Sequence, residues 1–439
     1  MKNLLSALKG ARPEIRYFTL LWSRFYDPHI ELVTPVLTMA KTIGVSKDVV
    51  STSLSYLTEF GFFDKQHGQL HSKVGRPSSK HLATDKLLAI LSEDEAPKLH
   101  AKLIDELLDM QGLESDHSNL KLSNRLLLCV FLLHADQFGL IQDLGFATIS
   151  KLTGMSRDQF NSQLLKLTNL GYIKLITTGM TSKLIFGSKP SIYMVNVTCE
   201  YFAHANFRSL TCENTFSHED IFTNLIQRST AGLTEYSAWQ RSNEKDKVNR
   251  KNFFELKKSE FFRIVDVDNA ERCWRLFYEF HRIVLKRFMF EKILLLAAQQ
   301  VIFKQEINDD LRYRLVNELR IELIPRSNKP NYTTAITGVI PVTGELIDTP
   351  GAETSDLRDT FDFDIFSEVL ITSVVFPFMK IFQSNLKILE NHFGVKFSSG
   401  YWTLNADDHN PYRSPRSFVL LYPADSDHIV HRVSIDRGK

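Results

Sequence analysis

The sequence predicts a mainly α protein with small β elements, in which two tandem copies of one compact helical module precede an α+β, largely helical C-terminal domain. Three observations predict it. A stretch of sequence returns without a gap at an offset of 110 residues, both copies change from helical to alternating patterning at a glycine, and the second half carries long apolar runs poor in proline. With 439 residues the chain has room for roughly two to four domains with real cores. Its 43% hydrophobic and 24% charged residues are those of a globular protein, which excludes wholesale disorder and fibrous folds. Lys plus Arg number 53 against 51 Asp plus Glu, a net charge of +2, so a surface for polyanions must be a local patch.

The first copy reads TMAKTIGVSKDVVSTSLSYLTEFGFF over residues 38–63, and the second reads TISKLTGMSRDQFNSQLLKLTNLGYI over residues 148–173. Thr38, Lys41, Gly44, Ser46, Asp48, Leu54, Leu57, Thr58 and Gly61 return as Thr148, Lys151, Gly154, Ser156, Asp158, Leu164, Leu167, Thr168 and Gly171. Each copy predicts a short amphipathic helix, at residues 35–43 and 146–153, that ends at a glycine able to take the left-handed conformation. Val45 or Met155 then plugs a tight turn, and Ser46 or Ser156 caps a second helix; Ser156 with Gln159 has capping-box spacing. Asp48 and Asp158 fall in the first turn, where the helix dipole favours a negative charge. Val50, Leu54 and Leu57, matched by Phe160, Leu164 and Leu167, form an i, i+4, i+7 stripe that buries one face and frees the other. Gly61 and Gly171 stop these helices 17 residues after the turn glycine, and alternating strands follow. Further helices precede the copies at residues 14–25 and 123–138.

Helix, glycine turn, helix and strand is the order of a helix-turn-helix continued into a β-wing. Residues 14–84 and 122–195 resemble bacterial winged-helix DNA-binding proteins of the broad MarR/ArsR-like type. The resemblance is sharpened by Gly75-Arg76-Pro77 followed by Leu82-Ala83-Thr84, a frequent wing-tip pattern in such regulators. It implies tandem winged-helix domains: residues 1–112 with a trailing helix, residues 113–200, and a C-terminal domain over residues 201–439 for oligomerisation or effector contact.

On this reading the free face of the first recognition helix offers Lys47, Ser51, Thr52, Ser55 and Tyr56, and the second offers Arg157, Asn161, Ser162 and Lys166, with Gln163 at its edge. Asparagine and glutamine match adenine bidentately, and hydroxyls reach base edges or phosphates. Arg76 at a tip fixed by glycine and proline suits a minor groove or a phosphate, with Lys73 and Lys80 as flanking phosphate contacts. Lys183 and Lys189 take that role in a second wing bracketed by Gly179 and Gly187. Residues 1–100 hold 13 basic against 10 acidic side chains and residues 120–210 hold 9 against 4, so positive charge concentrates where the copies lie.

The expected function is a sequence-specific, non-enzymatic transcriptional regulator acting on double-stranded DNA by occupancy, as a homo-oligomer, most simply a dimer. The alternatives are a replication or partition initiator of a mobile element, and a scaffold whose winged helices bind proteins; a protein partner of the C-terminal domain is also open. No cofactor is expected. Cys199, His204, Cys212 and His218 lack the close cysteine pair of structural zinc sites, and no P-loop, dinucleotide fingerprint, HExxH or G-x-S-x-G sequence occurs. Four scattered cysteines fit a reducing cytoplasm at the nucleoid, and Lys9, Arg12, Glu14 and Arg16 interrupt any signal-peptide core. The apolar stretches at residues 126–135, 293–303 and 369–379 meet charge within about a dozen residues, short of a membrane span.

In the second half, residues 235–263 read as a linker, a solvated helix or an auxiliary basic patch, 270–323 as helical with an almost wholly apolar stretch at 288–303, and 325–359 as a loop with short strands. Residues 361–392 read as helical and interrupted near Pro377, and the alternating tail as a small sheet.

Overall fold

The computed structural model describes residues 1–67, 79–94, 99–109, 119–182, 186–198, 201–203, 205, 207–214, 226–227, 231, 276, 280, 283–323, 363–393, 396–397, 399–404, 416–423 and 432–435. They are mostly helical with small sheets, as the sequence predicts. The chain forms two compact units: Met1–Ile176 with Pro190–Arg208 and Pro423–Asp425, and Thr177–Lys189 with Ser209–Tyr422 and Ser426–Lys439. The expected boundary at residue 112 falls inside the first unit, and residues 177–189 group with the second.

The first unit opens with α1 (Lys2–Ala7), α2 (Pro13–Phe25), α3 (Val36–Ile43) and α4 (Lys47–Glu59). The hairpin of β1 (Phe63–His67) and β2 (Ser79–Ala83) follows, pairing Phe63 with Ala83 and His67 with Ser79. Next come α5 (Asp85–Glu93) and α6 (Ala101–Leu108). The second copy begins with α7 (Leu122–Leu132), β3 (Leu140–Ile141), α8 (Phe146–Thr153), α9 (Arg157–Asn169) and β4 (Ile173–Thr177). After β5 (Met180–Ser182) and β6 (Gly187–Lys189) the chain returns as β7 (Ile192–Val195), which lies between β3 and β4 in a three-stranded sheet.

Helices α2 and α7 are the centre of this unit. Tyr17, Phe18, Leu21 and Trp22 on α2, and Leu126 through Phe131 on α7, are buried in one continuous core with both copies. α2 packs on α4 as well as on α7, and α7 packs on α8 and α9, so each first helix supports the pair that follows it. Short polar devices fix the connections. His100 Nε2 lies 2.7 Å from the Asp136 carbonyl, and the Asp136 carboxylate accepts the Phe138 and Leu140 N–H groups at 2.9 Å, shaping the entry to β3.

In the second unit α10 (Ile283–Ile302) is buried nearly all round, from Phe288 and Met289 to Ala298 and Val301. α11 (Asp309–Leu323) buries Leu311, Leu315, Leu319 and Leu323, a four-residue spacing that presents one apolar stripe. α12 (Phe363–Leu370) runs through a π-helical turn at Ile371–Val375 into α13 (Phe376–Phe393). The predicted interruption at Pro377 therefore takes the form of a π-turn that ends two residues before Pro377, which has no N–H to return to the previous turn. The four-stranded sheet has the order β11-β8-β10-β9, with β8 (Phe207–Asn214), β9 (Ser399–Leu404), β10 (Arg416–Pro423) and β11 (Arg432–Ile435). Its β9–β10 pair is antiparallel and its β8–β11 pair parallel, so the predicted terminal sheet recruits a strand from the middle of the chain.

The apolar stretch at residues 369–379 is bounded by Glu368 and Lys380 as expected, but the helix that holds it is longer than the expected shortfall from a membrane span allows. Phe366–His392 is one continuous helical run, long and apolar enough to cross a membrane by length and composition, with 56% of its apolar window buried. Val369, Leu370, Ile371, Val374, Val375, Phe378 and Met379 are all buried in the second unit, which makes it a core helix there.

Two measurements check this packing. Gly61 and Gly154 both have positive φ, so an alanine at either meets the left-handed penalty of about 1–2 kcal/mol. A Cβ at Gly61 meets open space, whereas one at Gly154 lies 2.2 Å from the Ala11 carbonyl oxygen. Gly154→Ala should lower urea stability by at least about 1 kcal/mol more than Gly61→Ala. Equal losses would contradict the described turn.

The second measurement is pH. Burial lowers the pKa of His81, His100 and His134 below the ordinary histidine value; Lys65 adds to this at His81, while Asp136 opposes it at His100. The unfolded chain then takes up protons near pH 6.5 that the folded unit refuses, so stability is full above that pH and is lost as pH falls. Asp136, raised by burial, works in the opposite direction from the carboxylate side. The urea midpoint should drop between pH 7.5 and 5.5. A flat profile would contradict neutral buried imidazoles.

Candidate nucleic-acid interface

The candidate interface begins with two turns. Gly44 ends α3 at φ 78° and Gly154 ends α8 at φ 73°, both left-handed, so each chain reverses within three residues. Ser46 Oγ accepts the Val49 N–H at 3.3 Å and starts α4. Ser156 Oγ accepts the Gln159 N–H at 3.3 Å while Gln159 Oε1 accepts the Ser156 N–H at 3.1 Å, the reciprocal box the spacing predicts. Val50, Leu54 and Leu57 are buried under α4, and Phe160 and Leu167 under α9, with Leu164 half-buried. Each fully buried side chain of this kind contributes about 1.5–3 kcal/mol, which holds both helices by their apolar rows.

The opposite rows face solvent. On α4, Lys47, Ser51, Thr52 and Ser55 are exposed. On α9, Arg157, Asn161 and Ser162 are exposed. The Arg157 guanidinium lies 4.5 Å over the Phe146 ring, which steadies a charge at the first position of the helix. Asp48 and Asp158 sit in the first turns, as the dipole favours.

Other predicted contacts are engaged within the protein. Tyr56 is half-buried, donates its hydroxyl to the Lys9 carbonyl at 2.6 Å and stacks on Phe60, so it leaves the free face. Lys166 Nζ donates to the Asn119 carbonyl at 2.9 Å. Gln163 Oε1 accepts from Asn124 Nδ2 at 2.6 Å and from Ser123 Oγ at 3.1 Å, which turns it toward α7. Lys80 on β2 pairs with Glu31 at 3.0 Å. Lys73, Arg76 and Lys183 lie outside the described residues, as do Cys199, His204 and His218 of the spaced series. Among the described residues no three His, Cys, Asp or Glu side chains converge as metal ligands. Cys129 is free and buried, and burial pushes its thiol up to about 12.

The second wing differs from the expectation. Strands β5 and β6 do pair as a hairpin, Met180 opposite Lys189, but they belong to the second unit. There Phe186 is 1% exposed, stands edge-on to Phe288 and donates its N–H to the Leu323 carbonyl at 2.6 Å. An aromatic at the loop end, in place of the polar tip predicted from Gly179 and Gly187, supplies the apolar surface that takes this hairpin into a core.

Two residues that matter for the site escape the motif reading. Arg16 on α2 is 3% exposed and spends its donors on carbonyls: Ala11 at 3.0 Å, Leu5, and across to Lys151 at 2.8 Å and Leu152 at 3.3 Å. It thus binds the C-terminal end of α8, where a cation suits the dipole, and links the first copy to the turn that launches α9. Arg125 on α7, equally buried, donates to the carbonyls of Leu107 at 3.1 Å and Asp109 at 3.2 Å at the end of α6, where Tyr17 also donates to Leu107. A charge inside the apolar stretches around residues 16 and 125 was the available signal.

The comparisons name no relative. No family model, curated protein or solved structure matches the chain. The functional reading therefore rests on the chain's own chemistry.

Proposed function

We propose that the first unit is a tandem winged-helix module that binds double-stranded DNA sequence-specifically, and that the protein is a transcriptional regulator acting by occupancy at the nucleoid. The observation that carries this reading is the paired exposed rows: Lys47, Ser51, Thr52 and Ser55 on α4, and Arg157, Asn161 and Ser162 on α9, each opposite a buried apolar row. The rows combine a cation at the helix start with short polar side chains along one face, the mixture that grips phosphates and reads major-groove edges. The order α7, β3, α8, α9, β4, β7 supports a winged helix in the second copy, and α2, α3, α4, β1, β2 supports one in the first. In this mechanism phosphate contacts set the register, the two helices read bases, and the second unit tunes affinity through self-association or a partner.

Selection of bound fragments from genomic DNA, followed by titration at several salt concentrations, tests this. Lys47→Ala with Arg157→Ala should weaken every sequence and lower the salt slope by about 1–2. Asn161→Ala should cost the selected site roughly 1–3 kcal/mol and leave unselected DNA unaffected. Failure to enrich any fragment, or binding indifferent to salt, would overturn the reading.

A further inference from the structure

We infer that the second recognition helix reads thymine, through Leu165, and that the two halves of the DNA site therefore differ in chemistry. This deepens the DNA-binding reading and rests on it. The offset of 110 residues aligns the exposed rows position by position: Lys47 with Arg157, Ser51 with Asn161, Thr52 with Ser162, and Ser55 with Leu165. The first three pairs keep their character, as cation, short hydrogen-bonder and hydroxyl. The fourth exchanges a hydroxyl for a branched apolar side chain that is 62% exposed.

An exposed leucine is ordinary on a protein surface, and position distinguishes this one. Leu165 follows Asn161 by four residues and Ser162 by three, so the three share one patch of the helix surface. The core does not use it, because Phe160, Leu164 and Leu167 already carry the inward stripe. Along the edges of a major groove the apolar group on offer is the thymine 5-methyl, and the amide of Asn161 matches the N6 and N7 edge of adenine. A leucine beside an asparagine thus fits a step that contains both A and T. The α4 row has Ser51 and Ser55 at these positions and holds no apolar reader.

The experiment uses the full chain and its selected fragments, with each protected thymine replaced in turn by uracil, which keeps the pairing and the O4 acceptor and removes only the methyl. At least one replacement should weaken the wild-type chain about fourfold, the effect of burying one methyl. Leu165→Ala should bind the unmodified site at least about fourfold more weakly, with an unchanged circular dichroism spectrum, and should lose its response to that uracil. Leu165→Ser, which installs the first copy's chemistry, should do the same. If no uracil weakens the wild type, or if Leu165→Ala responds to uracil as the wild type does, thymine reading is overturned while DNA binding stands. If no fragment is enriched, the binding proposal falls and this inference with it.

Discussion

The first unit depends on a pair of guanidinium groups held out of water. Arg16 and Arg125 each sit on the first helix of a repeat and donate to backbone carbonyls. A buried charge of this kind is tolerable only when its N–H groups are answered, and here helix ends answer them. Helix ends carry unpaired carbonyls in any fold, so each arginine solves two problems at once. Because Arg16 belongs to the first copy and the carbonyls of Lys151 and Leu152 to the second, the repeats share one interior. The burial that lowers the Arg16 pKa follows from the same geometry.

The repeat itself was legible from spacing alone. Gly44, Ser46, Gly154 and Ser156 have strong local preferences, and the structure places their turns and caps where those preferences point. The apolar rows were legible for the same reason. What the sequence could not disclose depends on distant partners. Nothing local to Arg16 names Lys151 as its neighbour, and nothing local to Lys80 names Glu31. Lys166 and Gln163 have the composition of a polar face, yet Lys166 bonds the Asn119 carbonyl and Gln163 turns toward Asn124. The helical stretches of the second half were readable from their apolar density, but the parallel pairing of residues 211–214 with 432–435 joins segments far apart in sequence.

Helices α4 and α9 show how a duplicated element can keep its frame while its surface changes. The caps, the turn glycines and the buried rows recur, since each is demanded by folding. The exposed positions are free of that demand, and there Ser51 faces Asn161 and Ser55 faces Leu165 across the alignment. The buried row changes too, Val50 to Phe160, but stays apolar, whereas the solvent row changes chemistry, because helical periodicity separates packing from presentation.

The hairpin that carries Phe186 has a practical consequence for anyone who would cut this protein in two. Scissors applied near residue 208 would cut out a front half that takes Phe186 along and leaves Phe288 and Leu323 behind. The stranded ring would become a sticky tip, inviting aggregation of a fragment whose own interior is sound. A short glycine-containing bridge from Ile176 to Pro190 would remove this hairpin and leave only residues of the first unit on either side of it.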